Sequence, residues 1–201
     1  MTIDSAQLAA FLPAVVALVA SPGPATLGLA GAGAAFGFRA ARRFLGGLLC
    51  GAAMTLLMVG SGVAGAILAQ PLIGPILTVV AMSYMIYLAY RIATASALGR
   101  HATQPEAPGF AAGLLLAMTN VKAYAVFAAL FSGFAVIPDD AVDNAWLKGL
   151  VIMSMLTVID FTWLYAGSTL RHFLHDPRLS RRINLSFAVL LLLSVIFAVA
   201  I

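Results

Sequence analysis

The sequence predicts an all-α integral membrane protein with six transmembrane helices, and three observations lead to this fold class. First, 63% of the 201 residues are hydrophobic and only 9% are charged, whereas soluble domains are typically about 25% charged. Second, the mean hydropathy is +1.05, so one aqueous core cannot enclose the apolar side chains. Third, the uncharged runs reach the roughly 20 residues that a helix needs to cross a bilayer. These observations exclude a water-soluble globule.

The first three spans are expected in the N-terminal half of the chain. Span one falls at about residues 8–30, between Asp4 and Arg39. The next uncharged run, 44–90, is long enough for two spans. The Gln70-Pro71 step, followed closely by Gly74-Pro75, supplies the hairpin between spans two and three, since such pairs are typical of turns.

The last three spans are expected in the C-terminal half. Span four covers 110–134 with only Lys122 as an interruption, span five covers 149–170 with only Asp160, and span six covers 183–201. Because each half holds an odd number of spans, the halves, about 1–100 and 101–201, must insert with opposite orientations. We therefore predict a single transmembrane domain built from two inverted three-helix repeats, an arrangement common among secondary transporters.

The loop charges predict the orientation in the membrane. Arginines cluster in the links between spans one and two, three and four, and five and six: Arg39, Arg42, Arg43, Arg91, Arg100, Arg171, Arg178, Arg181 and Arg182. The opposite side holds Lys148 beside several aspartates. Short loops rich in arginine stay in the cytoplasm, so both termini are expected to face outward. This clustering also accounts for the net charge of +4 without a nucleic-acid partner.

Glycines four residues apart favour close packing of helices in lipid. The pairs are Gly33/Gly37, Gly47/Gly51 and Gly109/Gly113. With 18 glycines in the chain, such pairs also arise easily by chance, so the spacing alone does not decide which pairs lie at a helix contact. The oligomeric state does not follow from them, and a homo-oligomer remains open.

The motif Pro22-Gly23-Pro24 predicts a break in the middle of the first span. Each proline lacks a backbone donor, and glycine adds conformational freedom. Broken helices at membrane depth are tolerated where they line a cavity, which is how many secondary transporters build substrate sites. The alternative is a plain proline kink packed against neighbouring helices.

Two charged side chains are expected at the middle depth of the second half. Lys122, with Asn120 just before it, lies about 18 Å along the fourth span from Phe110, beyond reach of either interface. Asp160 sits midway along the fifth span on the same face as Trp163. A buried pair between Lys122 and Asp160 is the simplest solution, either static or as a proton switch. The alternative is a lysine that caps carbonyl oxygens at the break in the first span.

Together these motifs resemble the LysE/RhtB family of bacterial amino-acid exporters. The resemblance rests on Pro22-Gly23-Pro24, on glycines at the entry to span two, on the Gly-x-x-x-x-x-x-Asn-x-Lys pattern ending at Lys122, and on Asp-x-x-Trp at Asp160 and Trp163. Ala25 and Val121 depart from the residues that family members usually carry at those places. The resemblance implies residence in the inner membrane and efflux of amino acids or small derivatives by proton exchange, with no cofactor.

Two alternative functions have less support from the residues. An ion or metal-cation exporter of the same architecture would need more donors than one buried carboxylate. His172, His175 and Asp176 lie in a basic link, so no metal site is expected. A membrane-embedded enzyme would have only Asp160 and Lys122 as acid and base, without an accompanying catalytic motif. The single cysteine, Cys50, permits no disulfide within the chain.

Overall fold

The computed structural model describes residues 2–95, 106–172 and 177–200, and within these ranges the regular structure is α-helical. The helices in chain order are α1 (Ser5–Ala20), α2 (Pro24–Phe36), α3 (Phe38–Gly60), α4 (Val63–Leu68), α5 (Ile73–Ala93), α6 (Phe110–Met118), α7 (Val121–Gly133), α8 (Ala141–His172) and α9 (Pro177–Ala200). This confirms the all-α fold class.

Within the described residues, five spans satisfy the length and hydropathy needed to cross a membrane. Three are single helices, over Phe38–Gly60, Pro75–Ala93 and Ala141–Leu170. The other two are bent pairs, α1 with α2 and α6 with α7. The sixth predicted span falls on α9, where the side chains of 195–200 lie outside the described part of the chain.

The predicted break in the first span is confirmed. Helix α1 begins at an N-cap, Asp4, whose side chain accepts hydrogen bonds from the backbone of Ala6 and Gln7. It ends at Ala20, and α2 starts at Pro24 after the extended residue Gly23, with a bend of 55° between the two helices. A proline at the first position of a helix is favoured because its missing donor is not needed there.

The fourth span is also broken, which corrects the expectation of one helix over 110–134. Helix α6 ends at Met118, α7 starts at Val121, and the two are bent by 57°. A side chain satisfies one carbonyl group that the break frees, since Tyr124 OH donates to Met118 O at 3.0 Å. Thr119 Oγ1 adds a bond at 2.7 Å to Leu115 O, which also accepts from the backbone of Thr119. Asn120 takes the N-cap position of α7, and its side chain forms no capping hydrogen bond there.

Other boundaries differ from the sequence-based expectation. The chain turns first at Gly62, whose φ of +78° favours glycine, and again over 69–72 after the short helix α4, so Gln70-Pro71 lies in a turn as expected. Helix α8 starts at Ala141 rather than 149, because Asp140 Oδ1 accepts from the backbone of Val142 and Asp143 and caps the helix there.

Two close helix crossings hold the bundle together at one end. A Cβ atom on Gly47 would clash with the carbonyl oxygen of Phe110, and one on Gly113 with that of Phe44, so α3 and α6 touch through their backbones. Gly33 and Gly167 bring α2 and α8 together in the same way. We call this end of the bundle, which carries Arg39, Arg42 and Arg43 near the start of α3, the arginine end.

The glycine pairs predicted from spacing therefore have different outcomes. Gly47 and Gly51 both lie at the α3–α6 crossing, since a Cβ on Gly51 would come 2.6 Å from that of Ala117. Gly113 also lies at this crossing, whereas a Cβ atom on Gly109 would meet no atom within 4 Å. Gly37 instead ends α2 with a φ of +83°. Glycines spaced four residues apart permit two helices to approach closely, and the angle at which the helices cross decides which glycine lies at the contact.

The opposite end of the bundle carries acidic residues. Thr2 Oγ1 donates to Asp139 Oδ2 at 2.7 Å, and Asp4 N donates to Val136 O at 2.9 Å. These bonds tie the start of α1 to the segment between α7 and α8. We call this end the acidic end.

Candidate functional site

The candidate site lies between two buried apolar clusters. One cluster, towards the arginine end, includes Leu48, Ala117 and Leu164, and the other, towards the acidic end, includes Ala52, Phe127 and Leu156. On each helix, the residues that lie between the two clusters are at the same depth along the bundle, which we call the middle level. Both helix breaks and Asp160 fall at this level, so polar groups concentrate midway along the bundle.

A cavity of about 60 Å³ occupies this level, which we call the central cavity. Its wall brings together five of the seven predicted site residues: Gly23, Pro24, Asn120, Lys122 and Asp160. The rest of the wall is formed by Leu18, Val19, Ala25, Thr26, Leu48, Ala52, Ala117, Ala123, Val126, Phe127 and Leu156. The space suffices for a few water molecules or a small solute, since a water needs about 10–15 Å³ on this measure.

Lys122 binds the end of α1. Its Nζ donates to Ser21 O at 2.6 Å, to Ser21 Oγ at 2.7 Å and to Pro22 O at 3.4 Å. A cation is favourable at the C-terminus of a helix, where carbonyl groups lack internal partners. The expected ion pair with Asp160 is therefore wrong for this structure, because the carbonyls freed by the break in the first span take the ammonium group instead. The alternative interpretation, a lysine that caps the break, is the one observed.

Asp160 has no such partner. Its side chain is only 4% exposed and lines the central cavity. Among the described residues, no hydrogen bond or ion pair reaches its carboxyl group. A buried carboxylate without a partner is costly at this depth, so the group is available to a solute or a proton that enters the cavity.

Asn120 contributes a second polar group to the cavity wall. It is 6% exposed, and its Oδ1 is buried without a hydrogen-bond partner among the described residues. Unpaired polar atoms of this kind are rare in folded proteins and call for an explanation, such as a ligand or an alternative conformation.

Thr26 is a residue of the site that the sequence analysis did not identify. Its Oγ1 accepts from Gly23 N at 2.9 Å and donates to Gly23 O at 3.1 Å, so it holds the extended residue before α2 in place. The sequence carries no capping-box signal here, because that pattern has Ser or Thr at the N-cap and Glu or Gln three residues later, whereas this N-cap is Gly23.

Two predicted site residues do not line the cavity. Trp163 is half-buried and packs against the apolar cluster at the arginine end, because it lies nearly one helical turn beyond Asp160 towards that end. Pro22 contributes its carbonyl group to Lys122.

The described residues hold no group of three His, Cys, Asp or Glu side chains that could bind a metal ion. His175 and Asp176, which the sequence analysis weighed as metal ligands, lie outside them.

Comparison with known proteins identifies a family match over most of the chain. The family model described as LysE type translocator matches residues 16–200. Among curated relatives, the cysteine/O-acetylserine efflux protein of Salmonella choleraesuis (strain SC-B67) is 30% identical over 187 residues, covering 92% of this chain and 93% of the relative. The protein of the same name from Salmonella typhimurium (strain LT2) matches equally well.

A second group of relatives carries a different name. The leucine efflux protein of Salmonella choleraesuis (strain SC-B67) is 26% identical over 194 residues, covering 90% of this chain and 88% of the relative. No solved structure matches the chain.

Proposed function

Because this chain belongs to the LysE type translocator family, it is a multi-pass bacterial membrane translocator rather than an enzyme, and we propose that it exports amino acids or small amino-acid derivatives by proton antiport. The observation that carries the proposal is the central cavity, where a lysine and an aspartate share one wall without being paired to each other. An amino acid is a zwitterion and matches this wall: the positive charge of Lys122, whose donors bond to Ser21 and Pro22, attracts the carboxylate of the solute, and the unpaired carboxylate of Asp160 accepts its ammonium group.

The helix breaks supply the groups that suit the carboxylate of the solute. Helices α2 and α7 both begin at the central cavity, with Gly23 and Asn120 as their N-cap residues. The N-terminus of a helix carries free amide donors and a partial positive charge, which favour an anion. Lys122 adds a full positive charge beside these ends. Half-helices in other secondary transporters use their N-termini in this way.

The carboxylate of Asp160 suits the ammonium group of the solute. This assignment provides a way to couple proton movement to solute movement. In the empty cavity its charge has no partner, which is unfavourable in a low-dielectric site. Either the solute's ammonium group or a proton relieves that cost. Because both neutralise the same carboxylate, they compete for it, and competition at one site is the simplest basis for antiport.

The test is transport of radiolabelled L-cysteine and L-leucine by the purified protein in proteoliposomes, with and without an imposed pH difference. In Asp160→Asn, the uncharged amide imitates the protonated carboxyl group. We expect the variant to fold and to exchange solute down a gradient, but to lose all acceleration by the pH difference. Asp143→Asn, which removes a charge from the first turn of the same helix, serves as the matched control and should respond like the unaltered protein.

Unaltered pH-driven transport by Asp160→Asn would remove the residue from the coupling mechanism. A protein that moves neither amino acid under any condition would refute the export function itself.

We also propose that the two halves form inverted repeats with both termini outside the cytoplasm. The bends of 55° and 57° support the repeat, because they break the first span of each half at a similar place. The arginine-rich links support the orientation.

A further inference from the structure

Lys148 is a second buried cation that the sequence analysis placed in a loop. The early start of α8 puts it inside that helix, with its side chain only 2% exposed. Its Nζ donates to Phe131 O at 2.7 Å and to Phe134 O at 2.8 Å, at the C-terminal end of α7. It also lies 5.4 Å from the ring centroid of Phe131. Among the described residues, no carboxylate forms an ion pair with it.

An ammonium group has three donors, and the two carbonyl groups account for two of them. The third donor and the unneutralised positive charge remain. A buried charge inside a membrane-spanning helix is expensive to retain, so its natural partner is an anion that is absent from the chain itself.

Lys148 lines a large cavity at the acidic end, which we call the outer cavity. Its volume is about 520 Å³, much larger than the central cavity. The wall comes from the end of α3, from α4, from α7 and from the start of α8. Tyr124, Ser132 and Asn144 supply further polar groups, and each of these already bonds to backbone within the described residues. Among these groups Lys148 carries the charge, and one of its three donors has no partner within the described residues.

The two ends of the bundle differ in how tightly they are closed. At the arginine end, the α2–α8 and α3–α6 crossings bring backbones into direct contact. At the acidic end, a Cβ atom on Gly65 or Gly133 would meet nothing within 4 Å, and one on Gly149 would meet only a side-chain atom of Leu56 at 3.9 Å. The helices therefore pack more loosely at these glycines than at the arginine end, and buried side chains that include Phe127 and Leu156 lie between the central cavity and the acidic end.

The outer cavity also lies next to the central cavity. One face of α7, with Ala123 and Phe127, lines the central cavity, and the neighbouring face, with Tyr124 and Ala128, lines the outer cavity. Lys148 precedes Asp160 by 12 residues on α8, so the two charges are separated by about 18 Å along the helix axis. A solute that leaves the central cavity towards the acidic end has to displace the apolar cluster there, and Lys148 lies further along α8 in that direction.

We propose that Lys148 forms a carboxylate-binding site in the outer cavity, which receives the carboxylate of the amino acid after it leaves the central cavity. This inference rests on the proposed export of amino acids. The third donor of the ammonium group and its charge bind the carboxylate, while the bonds to Phe131 and Phe134 keep Nζ in position.

The test compares a solute with and without a carboxylate. The variant Lys148→Gln keeps an N–H donor for the two carbonyl groups but loses the charge. In proteoliposomes, the half-saturating concentration of L-cysteine is measured for counterflow from the face that carries Asp139 and Asp140. Cysteamine, which lacks the carboxylate, is measured as a competitor from the same face. We expect Lys148→Gln to raise the half-saturating concentration of L-cysteine about tenfold and to change the half-inhibiting concentration of cysteamine by less than twofold. Lys148→Arg keeps the charge, so its half-saturating concentration of L-cysteine should return most of the way to that of the unaltered protein.

Equal changes for both solutes in Lys148→Gln would show that Lys148 only caps α7, and no change for either would remove it from the route. Both results overturn the site while leaving amino-acid export intact. If the unaltered protein transports no L-cysteine or other amino acid, the proposed function fails, and this inference fails with it.

Discussion

At Lys122, oxygen atoms from the end of α1 occupy the place that an aspartate was expected to take. The ammonium group binds Ser21 O and Ser21 Oγ, and this leaves Asp160 without a partner in the same cavity. If the two charges were a static pair, removal of one would strand the other and cost several kcal/mol. In this structure, each charge is held independently. Asp160→Asn should therefore fold without a compensating change at Lys122.

The absence of a side chain at Gly23 leaves the space that the end of the Lys122 side chain occupies. A Cβ atom there would lie 2.9 Å from Lys122 Cδ and 3.0 Å from Nζ, closer than such atoms approach in proteins. The end of a lysine side chain can move away, so we expect Gly23→Ala and Gly23→Leu to insert and fold. Displacement of the ammonium group from Ser21 should lower transport at least about tenfold, or roughly 1.4 kcal/mol. Transport assays in proteoliposomes check this, with membrane expression as the folding measure.

Gly109→Ala is the matched control, because a Cβ atom there would meet no atom within 4 Å. This variant should keep normal transport. A fully active Gly23→Leu would reduce Pro22-Gly23-Pro24 to an ordinary kink.

Among the elements, α3 shows how a helix crossing selects one glycine from several. Gly46 and Gly47 are adjacent, yet only Gly47 points at the backbone of α6. Without a hydrophobic driving force between helices in lipid, such contacts supply much of the attraction that holds the bundle together. The α3–α6 crossing therefore sets how tightly the arginine end is closed.

We expect Gly47→Ala to destabilise the protein by about 1–3 kcal/mol, because its Cβ would clash with the carbonyl oxygen of Phe110 and force the helices apart. Gly46→Ala meets only a ring atom of Phe110 at 3.8 Å, an ordinary contact, and should not destabilise. The measurement is unfolding of the purified protein in mixed micelles with increasing denaturing detergent. Equal stability of the two variants would contradict the crossing.

For the whole molecule, the distribution of charge separates the two ends. The N-terminus and the segment after α7 are joined by hydrogen bonds at the acidic end, and the N-terminal parts of α3 and α9 carry exposed arginines at the other end. The central cavity lies between these ends, flanked by the two buried apolar clusters. This is the arrangement that transport through alternating exposure of one site requires.

Single cysteines test the orientation. In a Cys50→Ala background, we expect Asp140→Cys to react with a membrane-impermeant reagent added outside the cell, because short loops without Lys or Arg are the ones exported. Arg178→Cys should react only after the membrane is opened, since arginine-rich links stay in the cytoplasm. Cys50→Ala alone should not react. Reaction of both engineered cysteines from outside would refute the proposed topology.

The sequence by itself determined the membrane class, the break at Pro22-Gly23-Pro24 and five of the residues that line the central cavity. These depend on composition and on covalent chemistry, since a proline lacks its donor in any surroundings. Asn120, Lys122 and Asp160 were identifiable because polar groups at mid-depth are costly unless they have a role.

Only the tertiary structure decided which groups meet. The break before Asn120 contains neither proline nor glycine, and the hydroxyl group of Tyr124 on α7 bonds to the carbonyl group of Met118 that the break frees. Lys122 bonds to α1 rather than to Asp160, and Lys148 is buried against the end of α7. Each partner is distant in the sequence or lies on another helix. The choice among them follows from how helices cross, which no local pattern of residues encodes.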